Sequence, residues 1–158
     1  MRKNNGIWLW LSLAIIIADV LTKAWIKKIF FVGQSYTVLP FFNLTLRYNH
    51  GIAFSLFNRA NPLIHWLLVL FIIAIIVGLL FWLKTASSKR SCLAIGLALI
   101  IGGALGNMLS RLYYGYVIDF IDLHIGLWHW PAFNVADSAI VLGALLLFID
   151  AYCLRKKT

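Results

Sequence analysis

The sequence predicts an all-α membrane protein, four transmembrane helices with a small sheet at the membrane surface. Three observations carry that reading. Hydrophobic residues make up 63% of the chain and charged residues 12%, with a mean hydropathy of +0.91, far from a soluble domain. Scanning for about 20 mainly apolar residues returns four runs, 7–28, 62–83, 92–112 and 137–154. Between the first two, Phe42, Leu44, Leu46 and Tyr48 alternate with Asn43, Thr45 and Arg47, the period of a half-buried strand. The runs leave no space for a separate soluble domain, so residues 1–158 are read as a single membrane-embedded domain.

The first run follows Arg2 and Lys3, as a signal peptide would. However, Asp19, Lys23 and Lys27 stand where a small-residue cleavage site belongs, so it reads as a retained helix. Asp19 and Lys23, four residues apart, can pair within that helix and are assigned to scaffold. Asn61 followed by Pro62 reads as an N-cap and first helical position opening the second run. In the third run Gly102 and Gly106 form a small-xxx-small pair for close helix approach, while Gly103, Asn107 and Arg111 share one face with Ser110 beside them. Interhelical hydrogen bonding with Arg111 snorkelling accounts for that face as well as ligand binding does. The fourth run opens near Asn134 and Asp137, residue types that cap helices and complement the positive end of the helix dipole.

The formal charge of +9 could suggest nucleic acid, but the basic residues sit at span ends rather than in one patch. They report topology. Arg2, Lys3, Lys84, Lys89, Arg90, Arg155, Lys156 and Lys157 put eight positive charges in three short segments, which the positive-inside rule assigns to the cytoplasm. Both termini then lie inside, and residues 29–61 and 113–136 lie outside. Lys27 and Lys28, at the outer end of the first run, are read as snorkelling. Trp8, Trp10, Trp25, Trp66, Trp82, Trp128 and Trp130 fall mostly near span ends, as an aromatic belt requires. Cys92 and Cys153 fall at cytoplasmic ends, fit no metal or redox spacing, and read as small core residues.

All five acidic residues are aspartates: Asp19, Asp119, Asp122, Asp137 and Asp150. A carboxylate beside lipid marks function by default. Asp119 lies in Tyr116-Val117-Ile118-Asp119-Phe120-Ile121, an apolar stretch that capping does not explain, whereas Asp137 alone reads well as a cap. Were the two brought together, only one would ionise readily, and the pair could activate a water and protonate a leaving amine. That is the chemistry of an aspartic protease.

Asn107 in Gly106-Asn107-Met108-Leu109-Ser110-Arg111, Asp119 in Val117-Ile118-Asp119-Phe120-Ile121, and Phe133-Asn134-Val135-Ala136-Asp137 occur in order along the chain. With Asp19, Thr22 and Lys23, and Arg47-Tyr48-Asn49 followed by Gly51, Ala53 and Phe54, the sequence resembles the bacterial lipoprotein signal peptidase family, signal peptidase II, over nearly its whole length. The resemblance implies four transmembrane helices with a surface-lying β-cradle, in a multi-pass protein of the bacterial cytoplasmic (inner) membrane whose active site faces outward. It also implies a globomycin-sensitive aspartic endopeptidase that removes signal peptides from diacylglyceryl-modified prolipoproteins, cutting before the lipidated cysteine. Asp119 and Asp137 would be the catalytic dyad, with Asn49, Asn107, Arg111 and Asn134 around the substrate. No metal or other cofactor is implied, and the partners expected are the lipidated substrate and membrane lipid, with no nucleic acid and a monomeric enzyme. One position departs from the family pattern: Ser110 stands where aspartate is usual, and a serine cannot neutralise Arg111.

Rival readings are separable. A small proton-coupled transporter would also place aspartates within a bundle, but it usually shows paired repeats or interrupted helices. A metallopeptidase could use His124 and His129, yet the sequence has no HExxH. A purely structural bundle is the third.

Overall fold

A computed structural model describes residues 5–50, 62–87 and 90–155. After a short 3₁₀ turn, four helices follow: α1 (Leu9–Ile29), α2 (Pro62–Thr85), α3 (Ser91–Tyr114) and α4 (Val135–Arg155). All four are long and apolar enough to cross a membrane. Their ends lie within about three residues of the sequence expectation, the scale on which helix ends fray. Of the residues singled out above, Arg2, Lys3, Gly51, Ala53, Phe54, Asn61, Lys89, Lys156 and Lys157 lie outside the described residues.

Helix α3 is the hub. In its most apolar stretch 56% of residues are buried, against 17–22% in the other three helices, whose outer faces are left to lipid. Small residues make this possible by letting backbones approach. A side chain at Gly102 would collide with the Ser12 carbonyl of α1, and one at Gly103 with the Ala136 carbonyl of α4. The seam with α1 is closed by Ser12, whose hydroxyl donates to the Ala98 carbonyl at 2.7 Å. The Gly102–Gly106 spacing thus serves α1, since a Cβ on Gly106 would meet the Asp19 carboxyl. Gly96 and Gly143 add a second contact with α4, against each other's carbonyl, which the sequence reading did not single out. α2 packs more peripherally, through Leu83 against Leu93, Ala94 and Leu97.

At one end of the bundle lies a four-stranded antiparallel sheet, β1 (Ser35–Leu39), β2 (Phe42–Asn49), β3 (Val117–Ile125) and β4 (Trp128–His129), in that order. It docks on the end of α1 through Ile26, Leu46, Ile118 and Phe120. The expected strand over 42–48 is present, but over 42–45 the polar residues Asn43 and Thr45 are the buried ones, and the alternation breaks at Leu46, which is buried next to Thr45. The register shifts between Leu44 and Arg47, and such a bulge turns consecutive residues inward. The buried polar groups find partners, Asn43 donating to Asp122 at 3.0 Å and Thr45 to the Gln34 carbonyl at 2.8 Å.

Two residues behave differently from the sequence reading. Lys27 is held over the Tyr114 ring at 4.0 Å and donates to the Tyr116 hydroxyl at 3.3 Å, so aromatic faces hold its charge. Cys153 is exposed on the outside of α4 rather than packed in the core; Cys92 is half-buried, and both are free thiols. At the end of the bundle away from the sheet, Arg90 pairs with Asp150 and ties the start of α3 to the end of α4.

Candidate active site

Three elements converge where the sheet meets the bundle. β3 brings Asp119, the first turn of α4 brings Asp137, and the last turns of α3 bring Asn107 and Arg111. Antiparallel pairing sets Arg47 opposite Asp119, and Asn49, two residues on and on the same face, donates to Asp119 Oδ2 at 3.0 Å. α3 ends at Gly115, whose φ of +77° is the left-handed cap that turns the chain out of the helix and toward β3.

Asn134 ties the two carboxylates together. It is fully buried, and its Nδ2 donates to Asp119 Oδ1 at 2.7 Å. Its own backbone N–H donates to Asp137 Oδ2 at 3.2 Å, while its Oδ1 accepts from the Asp137 backbone N–H at 2.9 Å. This reciprocal pattern is a capping box with Asn at the N-cap and Asp three residues on. The capping suggested by the sequence is therefore real. It uses only one Asp137 oxygen; Oδ1 accepts from Asn107 Nδ2 at 2.7 Å.

The electrostatics separate the two acids. Burial pushes the Asp119 carboxyl above the usual carboxylate range, and the Asp137 charge pushes the same way; hydrogen bonds from Asn49 and Asn134 offset this only in part. Asp137 is half-buried, at the mouth of a groove of about 530 Å³ lined by Leu123, Trp130, Phe133, Ser138, Val141 and Leu142. Val141 and Leu142 are exposed on the face of α4 that lipid would cover, so the groove is apolar and opens sideways. Nothing in the sequence pattern marked those residues as one surface, because they come from the sheet and from α4.

Arg111 donates from Nη1 to the Asn107 carbonyl at 3.4 Å, a weak contact, and its buried Nε has no partner among the described residues. Both aspartates lie within its electrostatic reach. Ser110 beside it is buried. Ser110→Asp is expected to leave thermal stability unchanged or raise it, as a counter-charge to Arg111 would. Loss of both stability and activity in an unfolding and cleavage assay would show instead that Ser110 belongs to a differently built site.

Asp19 and Lys23 are both buried and form the expected pair at 2.7 Å. Lys23 Nζ also donates to Asn107 Oδ1 at 2.8 Å, and Asp19 Oδ1 accepts the Ala136 backbone N–H at 3.0 Å, contacts between helices that the spacing within α1 does not show. Asp122 lies on the outer part of the sheet, away from the dyad. Burial raises its carboxyl, but Asn43 and His129 outweigh burial and hold it below its ordinary range. Among the described residues no three His, Cys, Asp or Glu side chains converge as a metal ion would need.

A family model described as signal peptidase (SPase) II matches residues 11–153. The chain is 45% identical over 149 residues to the lipoprotein signal peptidase of Blochmanniella pennsylvanica, covering 94% of this chain and 90% of that one. It is 48% identical over 144 residues to the lipoprotein signal peptidase of Paraburkholderia phymatum, covering 90% and 86%. Among solved structures, a bacterial membrane enzyme determined by the in meso method superposes with a TM-score of 0.84 at 29% identity, covering 94% of this chain and 96% of that chain. A second gives 0.81 at 27% identity over the whole chain and 94% of its own length.

Proposed function

The chain belongs to the signal peptidase II family, and from that premise we propose that Asp119 and Asp137 are the catalytic dyad of an intramembrane aspartic endopeptidase. As a member it is an aspartic-type protease of the membrane that removes signal peptides from lipoproteins. The transporter reading has no support among its relatives. The observation that carries the residue assignment is Asn134, which binds both carboxylates at once and so fixes them as a pair.

In this reading the pair holds one proton. The ionised carboxylate takes a proton from water as it attacks the scissile carbonyl, and the protonated one passes its proton to the departing nitrogen. Asn107 and Asn134 orient the acids, while Asn49 and Arg111, more open to solvent, reach the substrate backbone; a guanidinium is well suited to peptide carbonyls. The apolar groove beside Asp137 suits a diacylglyceryl-modified prolipoprotein, which arrives by lateral diffusion and is cut before its lipidated cysteine. The enzyme works as a single-domain monomer in the bacterial inner membrane, with the dyad toward the outer face and no part for nucleic acid, a metal or another cofactor.

Two measurements test this. Purified protein incubated with a diacylglyceryl-modified precursor should release the signal peptide, should ignore the same precursor without its lipid, and should be indifferent to chelators. Cleavage of both precursors alike would remove the role given to the groove. For orientation, Ser35→Cys on β1 and Leu127→Cys in the turn between β3 and β4, both exposed, should react with an impermeant thiol reagent from outside while Ser87→Cys should not. The reverse pattern would place the dyad in the cytoplasm.

A further inference from the structure

We infer that Lys23 is a positioning residue for Asp137, acting through Asn107. The inference rests on the dyad reading above.

A closed ring of contacts carries it. The Ala136 backbone N–H donates to Asp19 Oδ1 at 3.0 Å, and Asp19 Oδ2 accepts from Lys23 Nζ at 2.7 Å. Lys23 Nζ also donates to Asn107 Oδ1 at 2.8 Å, and Asn107 Nδ2 donates to Asp137 Oδ1 at 2.7 Å. The ring thus leaves α4 at Ala136 and returns to it at the very next residue. Three helices take part, and the carboxylate at its end is held from the backbone side and from the side-chain side.

Lys23 decides which way Asn107 faces. An ammonium has only donors, so the amide must turn its oxygen to Lys23 and its nitrogen to Asp137. Asn134 Nδ2, at 3.2 Å from the same oxygen, adds a weaker vote in that direction. Without Lys23 the amide could rotate, and the flipped form sets a carbonyl oxygen against a carboxylate. Simple scaffold is a poor account of such a pair: a buried ion pair is often no more stable than apolar residues of the same volume, and an intramembrane charge tends to be kept for function. Lys23 and Asp19 are 2% and 0% exposed, so neither serves solubility.

The test must separate positioning from folding, because Lys23→Met alone leaves Asp19 buried without a counter-charge. Asp19→Asn combined with Lys23→Met removes both charges. Asp19→Asn combined with Lys23→Gln also removes both, but keeps a chain of donors from residue 19 to Asn107. Each double variant is assayed for thermal unfolding, kcat and KM on the lipidated precursor, with Asp137→Asn run beside them. The Met form is expected to fold and to lose about tenfold to a hundredfold in kcat, the cost of slight misplacement of a reacting group, with KM changed less than about twofold. The Gln form should recover most of that loss. A folded Met form with near-normal kcat, or a Gln form no better than the Met form, overturns the inference. Should Asp137→Asn itself remain active, the dyad reading fails first; should it be dead while the Met form is normal, only the role of Lys23 falls.

Discussion

Asp119→Asn and Asp137→Asn are each expected to abolish cleavage, with a loss of at least roughly a hundredfold to ten-thousandfold, while the protein stays folded and inserted. An amide cannot take a proton from water or hand one to a leaving nitrogen, so neither role survives. Folding should survive because the substitution is nearly isosteric. Each carboxylate accepts two hydrogen bonds, Asp119 from Asn49 and Asn134, Asp137 from Asn107 and the Asn134 backbone. An amide at either position turns one acceptor into a donor and loses about 1 kcal/mol. At Asp119 this is offset by relief of a buried charge.

The pH dependence follows from the direction of the Asp119 shift. Its folded carboxyl holds its proton above the ordinary value of 3.8, so in the window between that value and its raised one the native state binds more protons than the unfolded chain. Stability therefore falls as pH rises through that window, and Asp119→Asn should flatten this part of the curve. Near-normal turnover of Asp137→Asn would return that residue to plain helix capping, and near-normal turnover of Asp119→Asn would remove Asp119 from the chemistry; either result ends the dyad reading.

The helices were legible because lipid imposes a length and an apolar composition on anything that spans it. The Gly102, Gly103 and Gly106 contacts were legible for a related reason, since close approach in lipid depends on small residues at helical spacing. The sheet was only partly so. β2 shows a period of two, but β3 is buried on both faces over Val117–Phe120 and its apolar residues flank Asp119 without alternating, which periodicity does not distinguish from a helix. The lipid-facing groove was invisible because its walls are joined only by the fold. Asp119 and Asp137 could be named as candidates from the surroundings of the first and the company of the second. Lys23 reads locally as half of a helix pair, because its contact with Asn107 spans 84 residues and no local pattern reports it.

Asn134→Asp gives a sharper test of the pair than either acid alone. Aspartate caps helices as well as asparagine does, so the Asp137 backbone N–H keeps its acceptor and α4 should start where it does now. The lost element is Nδ2, which donates to Asp119 Oδ1 at 2.7 Å, to Asn107 Oδ1 at 3.2 Å and to the Ile118 carbonyl at 3.3 Å. In its place stands a third carboxyl, fully buried against the other two. Near neutral pH the added carboxyl, where it ionises, repels the other two and lacks the donor that sets Asp119 in place. Turnover should fall roughly a hundredfold at neutral pH and recover in part toward acid, where the added carboxyl is neutral and donates as the amide did. Asn134→Ala removes cap and donor together, with a stability loss of about 1–2 kcal/mol from the missing cap. Equal activity of Asn134→Asp and the parent across the pH range would show that the two carboxylates need no common anchor, and Asn134 would then be a helix cap and no more.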